Sequence, residues 1–412
     1  PLLPRIAQKT TGTHMTSRTR ATFTPPIPEA RRWIEGVTFP SGRPLINLSQ
    51  AAPVDPPPAQ LRAAMAEALN DPGCHVYGPV LGNADLRAAL AVSWARHFEA
   101  PVSAGEIAIT AGCNQAFAAA IAATCTEGDE IILPTPWYFN HKMWLDMAGV
   151  TTVPLGTGDD LLPDPEAARA RLTPRTRAIV LVTPNNPGGV EYPAELVGAF
   201  YDLAHAAGIK LILDETYRDF DSRSGAPHDL LSRPGRDATL IQLYSFSKAY
   251  RLTGHRVGAV IAGPGLMPEL EKFLDTVTIC PPQLGQRAAL WGLENLDDWL
   301  AGERAEILDR RAAILEGMPA LEALGWRLKG LGAYFAYLEH PYAMTAADLA
   351  RALVSEAGVL LLPGSMFTPE DDPAGARHLR MAFANADRAG LEQVFQRLAA
   401  LDWPLAGDAG SR

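Results

Sequence analysis

Apolar and polar positions along this chain alternate between two kinds of pattern. LRAAMAEAL (61–69), ADLRAALAVSWARHF (84–98), CNQAFAAAIAATC (113–125), YFNHKMWLDMAG (138–149) and AELVGAFYDLAHAAG (194–208) repeat apolar residues at helical spacing. Between them lie short apolar, β-branched runs: EIAIT (106–110), DEIILP (129–134), TTVPL (151–155), RAIVLVTP (177–184), KLILDE (210–215) and TLIQLYSF (239–246). Strands that alternate with helices predict a parallel sheet covered on both faces, a three-layer αβα arrangement of the α/β class. One connection breaks the rule. RVGAVIAG (256–263) follows TLIQLYSF too closely for a crossover helix, which takes about a dozen residues. That strand is expected to run antiparallel in an otherwise mostly parallel sheet.

Past residue 300 the pattern changes. Longer helices are predicted over 302–316, 346–357 and 387–401, with short strands at 333–338, 358–363 and 377–384. These predict a second, smaller α/β domain. Residues 23–58 are proline-rich and aperiodic, and read as an arm over the surface that ends in the VDPPP turn (54–58) and completes the smaller domain. The expected division is a tail and arm over 1–58, a large domain over 59–300 and a small domain over 301–412.

Composition narrows the function. A chain of 412 residues, 47% hydrophobic and 20% charged, is long enough for a sizeable core and ordinary for a globular protein. The net charge of -10 argues against nucleic acid and anionic membrane as main partners, but leaves room for a local basic pocket. Cys74, Cys113, Cys125 and Cys280 have neither CxxC spacing nor a zinc-like Cys/His cluster. They read as reduced thiols of a cytoplasmic protein. No apolar run approaches the ~18 residues of a membrane span. The first twenty residues lack the apolar core of a secretory signal and read as a disordered tail, with Met15 a candidate for the true start.

In an open parallel sheet, ligands bind beyond the carboxyl ends of the strands. EIAIT is followed by Ala111-Gly112-Cys113-Asn114, which opens a helix and offers backbone N–H groups to an anion. RAIVLVTP is followed by Asn185-Asn186-Pro187. KLILDE ends at Asp214, with Tyr217 just beyond, and TLIQLYSF leads to Ser247, Lys248 and Arg256. Taken singly, an Asn-Pro turn is a turn, a strand-end Asp a cap and a lone Lys a solvated charge. Their convergence on one sheet edge is what favours a site.

These segments resemble the class I/II aminotransferases, the aspartate-aminotransferase-like enzymes of fold type I, over about residues 45–400. SFSKAYRLTGHRVG (245–258) fits the family pattern S-x-S-K-x5-G-x-R-x-G. TPNNPGG (183–189), LDETYRDF (213–220), YGPVLGNADLR (77–87), LLPGSMF (361–367) and LRMAFA (379–384) resemble its other motifs. The resemblance implies pyridoxal 5'-phosphate as cofactor and amino transfer between an α-amino acid and a 2-oxo acid. By the same resemblance Lys248 holds the cofactor as a Schiff base and moves the proton. Asp214 pairs with the pyridine nitrogen, and Asn186 and Tyr217 bond the ring's 3-oxygen. Gly112, Cys113, Asn114, Ser245 and Arg256 hold the phosphate, and Tyr138, rather than its neighbour Trp137, stacks on the ring. Arg380, with Asn186, clamps the substrate α-carboxylate, a task for a planar guanidinium. Tyr77 reaches the phosphate of a neighbouring subunit, which implies a homodimer.

Two positions depart from the pattern. Gly188 replaces the usual Thr and predicts a looser turn. Ala51 stands where the arm usually carries Gly, and its methyl is expected to narrow the substrate pocket. Arg251 is a candidate second cation for a dicarboxylate, read first as a surface or phosphate-side arginine. Rival functions are a carbon–sulfur β-lyase on the same scaffold and a PLP-sensing regulator. The second needs a DNA-binding module, for which the segment ahead of the fold is too short.

Overall fold

The computed structural model describes residues 17–53 and 55–406. Met15, most of the expected tail and Val54 of the VDPPP turn lie outside them. Arg18 already sits against the body of the protein, 2.5 Å from Glu127.

Thirteen strands occur among the described residues, in chain order β1 (Ile46–Asn47), β2 (Ile107–Thr110), β3 (Glu130–Thr135), β4 (Thr151–Gly156), β5 (Thr176–Val182), β6 (Lys210–Asp214) and β7 (Leu240–Ser245), then β8 (Gly258–Ala262), β9 (Arg327–Gly332), β10 (Phe335–Glu339), β11 (Val359–Leu360), β12 (Leu362–Pro363) and β13 (His378–Ala382). The main sheet has seven strands in the order β2-β8-β7-β6-β5-β3-β4. Its pairs are parallel except those of β8, which runs antiparallel to both β7 and β2. The short link through Lys248 and Arg256 leaves β8 that direction only.

Strand residues split between the two faces with period two. Leu211 and Leu213 of β6 pack into one core with Ile179 and Leu181 of β5. Ile212, Ala178 and Val180 pack into the other, against the helix Cys113–Thr124. Both faces are apolar, which is why these strands read as unbroken apolar runs.

A second sheet, β12-β13-β10-β9, is antiparallel. The arm joins this part of the molecule: β1 pairs in parallel with β11, Ile46 opposite Val359. A helix over Pro26–Arg32 precedes it, opened by prolines in its first turn, where a missing N–H costs nothing. The core around the second sheet takes in Tyr217 and Phe220, so the segment after β6 belongs to both units. No helix among the described residues is long and apolar enough to cross a membrane.

Candidate active site

A cleft of about 500 Å³ lies beyond the carboxyl ends of β5, β6 and β7, and is closed on the far side by the arm. The register aligns Val182 of β5 with Asp214 of β6, and Asp214 with Leu243 of β7. The segments that leave these strands therefore emerge at one level. Asn186, Asp214, Tyr217, Ser245, Lys248, Arg256 and Arg380 all line the cleft, with Cys113, Asn114 and Tyr138.

Asp214 is 3% exposed. Its Oδ1 accepts the backbone N–H of Thr216 at 3.0 Å, and its Oδ2 lies 3.2 Å from His141 Nε2. Burial by itself would raise the pKa of this carboxyl. The hydrogen bond and charge of His141, with the Thr216 bonds, outweigh burial and hold it below its ordinary value. A carboxylate so held stays ionised, ready for a cationic or N–H partner.

Lys248 sits one turn past β7 in the short helix Phe246–Ala249, and its Nζ donates to the Ala51 carbonyl. Burial, with Arg256 and Arg380 close by, pushes its pKa down to about 7. At neutral pH about half of such an amine is uncharged and nucleophilic.

Gly112 closes the approach to the helix Cys113–Thr124 with φ 90°. A Cβ there would lie 2.2 Å from Arg256 Nη2, so any side chain would push the guanidinium aside and strain the backbone. Arg256 itself takes φ 48°, donates to the Thr253 carbonyl at 3.0 Å and has Ser247 Oγ at 3.4 Å. Ser245 Oγ accepts the N–H of Ser247. Helix N-terminus, arginine and hydroxyls together make a cradle for a compact anion. The Cys113 thiol, pushed up by burial and then by Asp214, is no thiolate.

Arg380 comes from β13 and is 2% exposed. It donates to Asn186 Oδ1 at 3.0 Å and to the Ser49 carbonyl, lies over Phe335 and Phe367, and leaves its Nε unpartnered. Burial brings its pKa down to about 10, so it stays cationic at neutral pH. A buried guanidinium with a free donor suits an incoming carboxylate. Tyr217, buried and raised in pKa by that burial, has its ring 5.9 Å from Lys248 Nζ. Burial also raises Tyr138 to about 12; its hydroxyl accepts from Asn140 and donates to Asn114.

Other positions fall differently. Trp137 is turned away into the core behind the cleft. Tyr77 is 77% exposed and lines no part of this cleft. Arg251 is tied to Glu303 through two 2.8 Å bonds, with Asp55 3.4 Å away, and is not free for a ligand. The turn at Gly188 is tight where a loose one was expected. Its N–H donates to Asn185 Oδ1 at 2.7 Å, and its carbonyl lies so close to Gly330 that a Cβ there would meet it at 2.2 Å. Packing on β9 supplies the rigidity that the missing Thr does not. Ala51 does sit at the cleft wall, and it is its carbonyl that meets the site, by accepting from Lys248.

Sequence reading passed over His141 and Thr216, and placed Ser247 at the sheet edge without giving it a role. His141 was the findable one: it lies three residues after Tyr138 in an otherwise apolar helix face, fully buried and stacked on Phe117. A larger cleft, about 910 Å³, opens behind Arg218, and part of its charge is paired internally, as in Arg96–Asp297 and Arg223–Asp221.

The fold and these residues have relatives. The family model for aminotransferases of class I and II matches residues 43–398. An aromatic aminotransferase of Arabidopsis thaliana is 29% identical over 397 residues, 94% of either chain. A probable N-succinyldiaminopimelate aminotransferase of Mycobacterium tuberculosis is 30% identical, over 86% of this chain and 92% of its own. Among solved structures, an aspartate aminotransferase mutant of Thermus thermophilus superimposes with a TM-score of 0.82 at 27% identity, covering 93% of this chain and 98% of the other. The N-succinyldiaminopimelate aminotransferase of Mycobacterium tuberculosis gives 0.83 at 26%, covering 94% and 100%. Matched along nearly its whole length by sequence and by fold, this chain belongs to the class I and II aminotransferases and is a pyridoxal-phosphate-dependent transaminase.

Proposed function

We propose that the cleft transfers an amino group between an α-amino acid and a 2-oxo acid in two half-reactions, with Lys248 as the catalytic base and acid. The observation that carries this reading is one amine with a depressed pKa sharing a cleft with one ionised buried carboxylate and three arginines, two of which, Arg256 and Arg380, act on the amine's pKa. That donor set fits the cofactor: an anion cradle for the phosphate, a carboxylate for the ring nitrogen and an amine for the aldehyde.

Bound pyridoxal phosphate supplies an aldehyde that condenses with amines and a ring that draws electrons from the substrate α-carbon. The remaining work falls to the chain. Arg256, the N–H groups opening the helix Cys113–Thr124 and Ser245 bind the phosphate, with Gly112 making room and Asn114 at the rim. Asp214 holds a proton at the ring nitrogen, and His141 fixes the orientation of Asp214. Asn186 and Tyr217 would orient the ring by hydrogen bonds to its 3-oxygen, and Tyr138 would hold the ring by stacking. Arg380, positioned by Asn186, binds the substrate α-carboxylate. Lys248, as the neutral amine, would take the substrate α-proton and, once protonated, would deliver it to the cofactor's aldehyde carbon on the far side of the amino nitrogen.

The working unit in this reading is a cytoplasmic homodimer. Residues 59–300 form its cofactor-binding part, and 301–412 with the arm form the smaller part. Four cysteines without disulfide partners among the described residues accord with a reducing compartment. Tyr77 stands out beside exposed Val76, and Gly78 is hydrogen-bonded to Cys280, next to exposed Val277 and Ile279. This apolar strip suits a second copy, across which Tyr77 reaches the partner's phosphate site.

The test is a single-turnover assay of cofactor-loaded protein with a panel of amino acids and no oxo acid. Stoichiometric pyridoxamine phosphate and 2-oxo acid are expected. Catalytic pyruvate and ammonia from cysteine conjugates would instead mean elimination chemistry, and no change with any donor would end the proposal.

A further inference from the structure

The cleft holds one more cation than the reaction above employs. Its charged lining is Arg31, Lys248, Arg256 and Arg380 against Asp214 alone. In the proposed reading Arg256 meets the phosphate, Arg380 the α-carboxylate, and Lys248 the aldehyde and then the α-proton. Arg31 is left over, and the chain itself does not neutralise it. Its neighbour Arg32 pairs with Glu29 at 2.9 Å, but Arg31 forms no ion pair among the described residues. Its one side-chain hydrogen bond is to neutral Gln50 Oε1, at 2.8 Å.

The placement of Arg31 is built, not incidental. It lies on the arm helix Pro26–Arg32, four residues after Ile27, so both project on one helical face, and both line the cleft. Ala30, fully buried, and Ile27 fasten that helix to a cluster with Phe139, Leu360 and Phe367. The Gln50 backbone is anchored in turn, because its carbonyl accepts from Asn385, while the Gln50 and Arg31 side chains face solvent at the mouth. The guanidinium is thus held at the mouth, on the arm side of the cleft, while Arg380 lies buried within it. Arg251, the other candidate for such a role, is consumed by Glu303 and Asp55.

We propose that Arg31, oriented by Gln50, is the subsite for a second carboxylate, and that the preferred substrates are α-amino acids with acidic side chains and the matching 2-oxo diacids. This rests on the transaminase reading and adds its substrate class. A guanidinium at the mouth gives a distal carboxylate a charge-assisted, two-pronged partner. It gives an aliphatic or aromatic side chain no comparable gain. Arg31 is a specificity residue here and takes no part in proton transfer.

The test compares cofactor-loaded wild type with Arg31→Gln and Arg31→Lys. Glutamate and aspartate are set against alanine and phenylalanine, with 2-oxoglutarate against pyruvate as acceptors. Wild type should prefer the diacids. R31Q should lower the diacid-to-monoacid ratio of kcat/KM by roughly tenfold or more, mainly through KM, with R31K between the two. A second readout needs no turnover: glutarate should raise the melting temperature of wild type well beyond butyrate, and R31Q should lose that difference. A ratio unmoved by R31Q, a wild-type preference for monoacids, or equal shifts by glutarate and butyrate overturns the proposal. If no amino acid of either class turned over, the transaminase reading would fail instead, and the glutarate comparison would still judge Arg31.

Discussion

At the scale of the residue, Lys248 shows how environment makes a common side chain reactive. Burial and two arginines bring its amine to about 7 from the 10.5 of a solvated lysine. The sign matters: lowering favours the neutral form, so the amine becomes nucleophilic as pH rises through 7. Capture of pyridoxal phosphate by cofactor-free protein, followed by absorbance in stopped flow, should speed up to about pH 7 and then level off. For an unperturbed lysine the neutral fraction would go on rising about tenfold per pH unit to near 10.5. A rate still climbing that steeply between pH 8 and 10 would contradict the placement. Lys248→Ala should keep the fold and the far-UV circular dichroism of the wild type, yet lose both turnover and the linkage trapped by borohydride. The residues that sequence could single out are those with few substitutes: the amine, the strand-end carboxylate, the two arginines. His141 escaped because a buried histidine in an apolar helix reads as packing until Asp214 is seen 3.2 Å away.

At the scale of the element, the anion cradle depends on one missing methyl group. Gly112→Ala would drive a Cβ to 2.2 Å from Arg256 Nη2, against a backbone at φ 90°. Arg256 must then withdraw, and cofactor affinity should fall roughly 10- to 100-fold in a fluorescence titration. Gly128→Ala is the matched control. It carries the same kind of strain at φ 86° but meets nothing within 4 Å, so it should cost stability and leave affinity alone. Equal losses of affinity in the two variants would reduce the cradle to ordinary backbone strain. Glycines also explain part of what was illegible in the sequence, in the second of two missed helices. The helices Met267–Thr278 and Gln283–Asn295 had no counterpart in the periodicity reading. The second contains Gly285 and Gly292, which weaken any helical signal. Both are needed there, because a Cβ would lie 2.5 Å from the His255 carbonyl and 2.7 Å from the Tyr250 ring. β9, RLKGLG, has little strand propensity and exists through its pairing with β10. The buried strands of the main sheet were legible because both their faces are apolar, and β8 because its connection was too short to cross over.

At the scale of the whole molecule, Tyr77 stands apart from every other site residue. It shares the sequence pattern of the family, yet within one chain it is 77% exposed and away from the cleft. A phenol placed there serves the site only if another copy brings its own cleft to it. Mixed dimers test this without a structure of the assembly. Tyr77→Ala and Lys248→Ala proteins should each be impaired, the second without activity. Denatured together and refolded, equal amounts give about half mixed dimers, each with one site in which both defects meet and one in which neither is present. Activity should then recover to roughly a quarter of wild type, the value expected for one intact site in every second dimer. If Tyr77 served its own subunit, each mixed dimer would carry one defect in either site and nothing would recover. Dilution gives the same question a second answer: if the strip at Val76, Tyr77, Val277 and Ile279 is covered by a partner, activity per subunit should fall with concentration, in step with the loss of dimer by analytical ultracentrifugation. Activity that survives complete dissociation would make the cleft sufficient by itself, with Tyr77 a surface residue.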